Sequence, residues 1–395
     1  MNVDSFREEV LHNLNDNILS FWITAMVDPR GGFFGQCDAN NRIQPDAPKG
    51  AILNARILWA FSAAYRVTGE VKYLEMAKRA KDFLKDHFID KEYGGLFWSL
   101  NADGSPLDTK KQFYAIGFAI YGLSEFSRAT GDLEAKNMAL SLFHDIENHS
   151  RDNVEGGYIE AVTRDWMPIG DMRLSDKDDN AAKTMNTHLH ILEPYTNLLR
   201  IVPDNNEVRE AVRNLIDIFL DKIEDRKSHQ LGLFFDKDWT RRDGEISYGH
   251  DIEASWLLFE AAQVLDDPEV LKKTLAHTRD IAFAALEGCC ADGSMVYERH
   301  SNGHYDNDKH WWVQAENVIG QLYLWKYHGV DEMYGKAVRS WEYIRDNIVD
   351  NNNGEWFWRL KGNQVVDEDV KAGFWKCPYH NSRMCLEIIE RLENK

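Results

Sequence analysis

The stretch that decides the fold is 92-EYGGLFWSLNADGSPL-107. It reads as a glycine turn, a short aromatic strand, a second turn and a return strand, with Gly and Asn supplying the positive φ such turns need. The same pattern recurs as 29-PRGGFFGQCDANNRI, 155-EGGYIEAVTRDWMPI, 230-QLGLFFDKDWTRRDGE, 292-DGSMVYERHSNGHYD and 353-NGEWFWRLKGNQVVDE. The marker glycines Gly32, Gly95, Gly157, Gly232, Gly293 and Gly354 lie 63, 62, 75, 61 and 61 residues apart. A fixed period with self-similar content is the signature of a repeat architecture.

Between hairpins there is room for two helices. The segment 71-VKYLEMAKRAKDFLKDHF-88 places Tyr73, Ala77, Ala80 and Leu84 on one face with lysines and acids opposite, an outer, half-solvated helix. The preceding segment, 51-AILNARILWAFSAAYRV-67, is apolar nearly all round and should be buried on most sides. Later pairs repeat the pattern: 113–130 with 132–148, 184–201 with 205–223, 248–265 with 268–286, and 311–328 with 331–348. The terminal helices carry no polar capping face, and 380-HNSRMCLEIIERLE-393 can pair with residues 4–22. Twelve helices in six such pairs predict an all-α, closed (α/α)6 barrel in which short β-hairpins connect the helices. The chain reads as one domain over 1–395, with nine prolines and no low-complexity tract.

Composition bounds the function. The net charge of -19 argues against nucleic acid or an anionic membrane, because both need a positive surface. The N-terminus lacks the basic start and apolar block of a signal peptide, and no run of about 18 apolar residues occurs. The five cysteines are odd in number and contain no CxxC, so a reducing cytoplasm fits best and a disulfide framework or structural zinc does not.

In a ring, the starts of the inner helices converge on the axis. Those starts carry Arg56, Tyr114, Asn186, His188, His190, His250, Glu253, Trp256, Trp311, Trp312, Glu316, Trp375 and His380. One polar residue on an apolar helix is usually a satisfied core group, but equivalent positions carrying Arg, Tyr, His, Glu and Trp point to a shared pocket. No HExxH occurs, and His188 and His190 face different ways on a helix, so no metal is expected. His188 is read as structural.

Thirteen tryptophans beside polar groups suit a pyranose, which offers a C–H face for stacking and hydroxyls for hydrogen bonds. Trp98, Trp239 and Trp358 read instead as hairpin packing. Imidazoles near a neutral sugar suggest proton transfer rather than glycosidic cleavage. Removing the C–H beside an open-chain aldehyde makes an enediolate, and Arg56 and Tyr114 suit its oxyanion. A second base on the opposite face of C2 returns the proton with inversion. No cofactor is needed, and the chain has no GxGxxG or P-loop.

The segments 184-TMNTHLHILE, 248-YGHDIEASW, 311-WWVQAEN and 375-WKCPYHNSRMC resemble the motifs of the cellobiose 2-epimerases, also called mannobiose 2-epimerases, within the N-acylglucosamine 2-epimerase superfamily. The resemblance runs over essentially the whole chain. It implies an (α/α)6 barrel and reversible epimerisation at C2 of the reducing-end sugar of β-1,4-linked disaccharides through ring opening and an enediol. It implies that His250 and His380 remove and return the C2 proton, and that His190 supports ring opening. Arg56, Tyr114 and Asn186 would surround the reducing-end sugar. Glu253 and Glu316 would hold hydroxyls and orient histidines, Glu253 serving His250. Trp312 and Trp375 would stack, Trp375 under the second sugar. Asp178, in the longer segment 170-GDMRLSDKDDNAAK, would reach that sugar from a lid-like loop. Trp256 reads as wall. The expected partner is a small disaccharide alone, bound by a monomer. The alternatives are a monosaccharide epimerase or aldose–ketose isomerase of the same superfamily, a glycoside hydrolase using Asp178 or Asp179 with Glu253 or Glu316, and a non-catalytic sugar-binding protein.

Overall fold

The computed structural model describes residues 1–242 and 244–392. Asp243 of the fourth hairpin segment and Glu393 at the end of the last predicted helix lie outside the described residues. Among the described residues, the chain winds as six helix pairs. The inner helices are α2 (Ala51–Thr68), α4 (Phe113–Thr130), α6 (Met185–Ile201), α8 (Tyr248–Leu265), α10 (Trp311–His328) and α12 (His380–Leu392). The outer ones are α1 (Val3–His12, continued by Asn13–Leu19 and Ser20–Thr24), α3 (Val71–Phe83), α5 (Leu133–His149), α7 (Asn206–Ile218), α9 (Pro268–Ala285) and α11 (Glu332–Tyr343). Each inner helix packs on the next, and α12 packs on both α2 and α1, so the ring closes. The inner helices are buried nearly all round, whereas α3 buries only its Tyr73–Ala77–Ala80 stripe and Lys81 and Phe83 beside it. None of these helices is long and apolar enough to cross a membrane.

The outer helices end differently from the predicted even periodicity. Three of them pass into a wide turn closed by bonds five residues apart: Ile89 N–H to Leu84 O, Glu224 N–H to Phe219 O and Val349 N–H to Ile344 O, at 2.9–3.1 Å. The turn brings the chain back toward the axis. Close approach of the inner helices is carried by glycine. A Cβ on Gly117 would lie 2.5 Å from the His190 carbonyl oxygen, so α4 and α6 meet backbone to backbone beside the site.

The hairpins form, with an addition. Strands 99–100, 298–299 and 359–361 each pair with a return strand, as expected. Each also accepts the short strand that precedes the inner helix of the repeat before: 49–50 on 99–100, 246–247 on 298–299, and 309–310 on 359–360. Strands 111–112 and 183–184 do the same with 161–162 and 234–235. The sixth junction is a bridge between Cys37 and Ala372, which joins the first hairpin to the last inner segment. Five marker glycines have positive φ; Gly232 does not, and in its turn His229 takes φ 59° instead.

A buried lysine–aspartate pair recurs beneath these turns: Lys49–Asp28 at 2.7 Å, Lys111–Asp90 at 2.9 Å, Lys183–Asp152 at 3.0 Å, and Lys371–Asp350. The aspartate also accepts N–H groups of the turn after the outer helix, as Asp28 does from Arg30 at 2.9 Å. The lysine lies on the inner segment, so each pair ties the two layers of its repeat. The last turns of the inner helices carry Arg66, Arg200 and Arg391, which pair with Glu125, Glu260, Glu387 and Glu390 around a cavity of about 300 Å³. Cations suit that carbonyl end of a helix. The other end of the ring, where the inner helices begin, carries the candidate residues.

Candidate active site

Arg56, in the second turn of α2, is buried under two rings, 4.1 Å from the Phe118 centroid and 4.6 Å from that of Tyr379. Its Nη2 donates to the Tyr114 hydroxyl at 2.9 Å. The Tyr114 ring stands edge-on to His190 at 5.1 Å and 6.0 Å from Trp375. Burial pushes the Tyr114 phenol up, so it stays a hydrogen-bond donor at neutral pH. Trp375 is half-buried, with Trp98 6.2 Å away.

The three histidines differ in what holds them. His190 Nδ1 lies 3.0 Å from Glu193 Oε2, and its Nε2 is 3.9 Å from Glu253 Oε2. His380 Nδ1 lies 2.7 Å from Glu316 Oε1. His250 Nδ1 lies 2.8 Å from the Ser247 hydroxyl. The indole of Trp312 sits between the last two, 4.7 Å from the His250 ring and 5.6 Å from the His380 ring. Burial, with a smaller contribution from the charge of His190, pushes His250 down to about 3. Burial and the charges of Arg383 and Arg56 push His380 well below the usual imidazole range. Both are therefore neutral at physiological pH, the form that can accept a proton.

Arg383 lies under this group. It is fully buried, one turn after His380 on α12, and it bonds Glu193, Glu253 and Glu316, the last at 2.7 Å. Tyr379 also donates to Glu193. Burial alone would raise Glu193, but Arg383 and His190 hold it down to about 2. Burial and the neighbouring Glu316 push Glu253 up to about 7. Burial raises Glu316 as well, opposed by Arg383. Glu253 Oε2 is buried and has no hydrogen-bond partner among the described residues, an acceptor or donor left for a ligand hydroxyl.

Arg56, Tyr114, His190, Glu253, Glu316 and His380 thus form one connected cluster, with Trp312 and His250 beside it. Asn186 stands one turn before His190, its Oδ1 buried and unpartnered. Asp178 does not join the cluster by a hydrogen bond: its carboxylate accepts from the Ser175 N–H at 2.9 Å and hydroxyl at 3.0 Å, inside its own loop. That loop is tethered to the barrel by Gln112, which donates to the Arg173 carbonyl at 2.8 Å. Trp256 is wall, as expected, and its Nε1 donates to Glu316 at 3.0 Å. His188 is structural: its Nε2 accepts the Tyr158 N–H at 2.9 Å and ties the third hairpin to α6.

One expectation is corrected. Glu253 does not orient His250, because its Oε1 is bonded to Arg383 and Ser247 holds the ring. Sequence reasoning missed Ser247, Glu193, Tyr379 and Arg383. A signal existed for two of them: Glu193 follows His190, and Arg383 follows His380, by three residues, which puts each on the same helix face as its histidine. Among the described residues, two groups offer atoms for a metal, those of each group within 4.8 Å of one another: Glu253, Glu316 and His380 in the site, and Glu245, Glu298 and His300 away from it. In the first, the Arg383 guanidinium already supplies the positive charge.

One end of the ring thus brings together two imidazoles, a buried arginine–tyrosine pair and aromatic walls. The family model described as N-acylglucosamine 2-epimerase (GlcNAc 2-epimerase) matches residues 32–383, and the chain belongs to that family of carbohydrate epimerases. It is 54% identical to a cellobiose 2-epimerase of Bacteroides fragilis, over 97% of this chain and 98% of that one. A cellobiose 2-epimerase of Dictyoglomus turgidum is 36% identical over 99% of this chain and 100% of its own. The solved structure of cellobiose 2-epimerase from Bacillus thermoamylovorans superposes with a TM-score of 0.94 at 38% identity, covering 98% of this chain and 100% of that one.

Proposed function

We propose that the protein interconverts C2 epimers at the reducing end of β-1,4-linked disaccharides, turning cellobiose into glucosyl-mannose and mannobiose into mannosyl-glucose. The observation that carries this reading is the placing of two imidazoles, His250 and His380, around the Trp312 indole. The names of the relatives supply the substrate class.

The chemistry runs as follows. His190, with Nδ1 held by Glu193, moves the proton that ring opening requires between O1 and the ring oxygen. The aldehyde so formed acidifies the C2–H, and one imidazole takes that proton while the electron pair moves to O1 through a cis-enediolate. Arg56 and Tyr114 are fixed donors for that oxygen, which concentrates stabilisation where charge develops. The other imidazole, having taken a proton from solvent, delivers it to the opposite face of C2 and is left neutral, and ring closure completes the inversion. No redox or group-transfer step occurs, so the reaction balances without a cofactor. Asn186 and the free oxygen of Glu253 take sugar hydroxyls, Trp312 and Trp375 stack, and Asp178 reaches the second sugar. The protein works in this reading as a cytoplasmic monomer, with neither nucleic acid nor membrane.

The test is proton NMR of cellobiose incubated with the protein in D₂O. Glucosyl-mannose carrying deuterium at C2 is the expected product. An unchanged spectrum, with exchange on mannose or N-acetylmannosamine, would move the substrate to the monosaccharide class; free glucose would point to hydrolysis.

A further inference from the structure

The residue before each of the first five inner helices stands at its N-cap. Thr184 does there what such a residue ordinarily does: its hydroxyl accepts the Thr187 N–H at 3.1 Å. Ser247 holds the same place before α8 with the same extended backbone, yet its side chain makes no bond to the N–H groups of the helix. Serine is among the strongest N-cap residues. Here the fully buried hydroxyl is turned instead to His250 Nδ1, at 2.8 Å.

The partner of an imidazole Nδ1 decides what Nε2 can do. Glu193 and Glu316, bonded to Arg383, only accept, so His190 and His380 keep a hydrogen on Nδ1 and present a bare Nε2 when neutral. A serine hydroxyl both donates and accepts. When it accepts, His250 Nε2 is bare; when it donates, Nε2 carries the hydrogen. The hydroxyl turns about one bond, so both forms are open to the ring in one place.

We propose that Ser247 is a positioning residue for His250, and that its hydroxyl makes His250 the one of the three imidazoles that is available in both neutral tautomers. The inference rests on the epimerase reading. In the reaction the tautomer with bare Nε2 takes the C2 proton and becomes the imidazolium, which returns it, and Ser247 accepts from Nδ1–H in both; in the other tautomer Ser247 donates to Nδ1 and Nε2–H is offered to a sugar oxygen.

The experiment combines nitrogen-15 NMR of the histidine rings with kinetics, for the wild type, Ser247→Ala and Ser247→Thr. The wild type and the threonine variant are expected to show a mixed His250 tautomer, and the alanine variant a single one. In the alanine variant kcat should fall about tenfold in both directions, the worth of one lost hydrogen bond at a reacting group, with KM within about twofold. A His250 spectrum and kcat unchanged in Ser247→Ala would overturn the proposal. So would parallel losses of kcat, substrate binding and melting temperature, which mark a merely structural serine. If the threonine variant does not fold, the alanine variant alone decides. If the wild type exchanges no sugar proton, the reaction reading falls, while the tautomer comparison still decides the role of Ser247.

Discussion

Replacing Arg383 by methionine tests the electrostatic frame of the site. The guanidinium is fully buried and is shared by Glu193, Glu253 and Glu316. Methionine fills most of its volume between Trp256 and Tyr379, whose rings it covers at 4.7 and 4.4 Å. The loss is therefore one of charge. Removing one partner of a buried ion pair costs about 3–5 kcal/mol, because the other is left uncompensated. Unfolding entropy near the melting temperature is about 2 cal/mol/K per residue, or about 0.8 kcal/mol/K for 395 residues. The melting temperature should then drop by about 4–6 °C at pH 8. Its pH dependence has a definite sign. In the wild type Glu193 is depressed to about 2, so its contribution is present above the ordinary carboxylate range and is lost only as pH falls through about 2. In the variant His190, Tyr379 and Trp256 still oppose burial but Arg383 no longer does, so Glu193 and Glu316 both shift upward. Their stabilisation is then largest below the ordinary range and declines as pH rises. The gap between the two proteins should be widest at pH 8 and should narrow toward pH 5. Scanning calorimetry at both values reads it. An equal drop at pH 8 and pH 5, or no drop, would refute the reasoning.

The remaining predictions concern the chemistry and the frame. His250→Asn and His380→Asn should each lower C2 deuterium exchange by about 10²–10⁴-fold, with the melting temperature little changed; near-wild-type exchange in either would remove that histidine from the reaction. Burial opposes the ionisation of Asp28, Asp152 and Asp350, but their lysine or arginine neighbours overcome it and hold all three below the usual carboxylate range. Their contribution is present above about pH 4 and is lost as pH falls below it, so the urea midpoint should decline steeply between pH 4 and pH 2. Asp28→Asn, which strands Lys49, should cost about 3–5 kcal/mol at pH 7, read from the same urea titrations.

The six-fold plan was legible because it is written twice, once in the glycine–aromatic turns and once in helical periodicity. Segments such as 51–67 and 113–130 announce burial by being apolar all round, and the structure encloses them. The wide turns after α3, α7 and α11 were not legible: a five-residue bond shifts the register by one residue at a helix end, where the apolar stripe looks unchanged. Pairing between repeats was hidden for another reason. Segments such as Lys49–Gly50 are two residues long, too short for a period-two pattern, and only the ring's closure brings them beside the next hairpin. The lysine–aspartate pairs left a trace, since Asp28–Lys49, Asp90–Lys111 and Asp350–Lys371 share a separation of 21 residues. In the site, residues at the helix starts could be named from position alone. Arg383 shares a helix face with His380 by spacing, but its role could not be read there, because an arginine aimed into a core shows its use only once Glu193, Glu253 and Glu316 converge on it from three other helices.

The bridge between Cys37 and Ala372 bears on how the molecule opens. An open stack frays, since its outermost units have one neighbour and exchange their amide hydrogens first. Here the first hairpin leans on the last inner segment and α1 on α12, so every unit has two neighbours. Amides of the first and last repeats should then be protected to the same depth as those of the middle ones. The imidazole of His380, close to the chain's end, is held as firmly as the imidazole of His250 in its interior, and a shared catalytic centre needs that evenness.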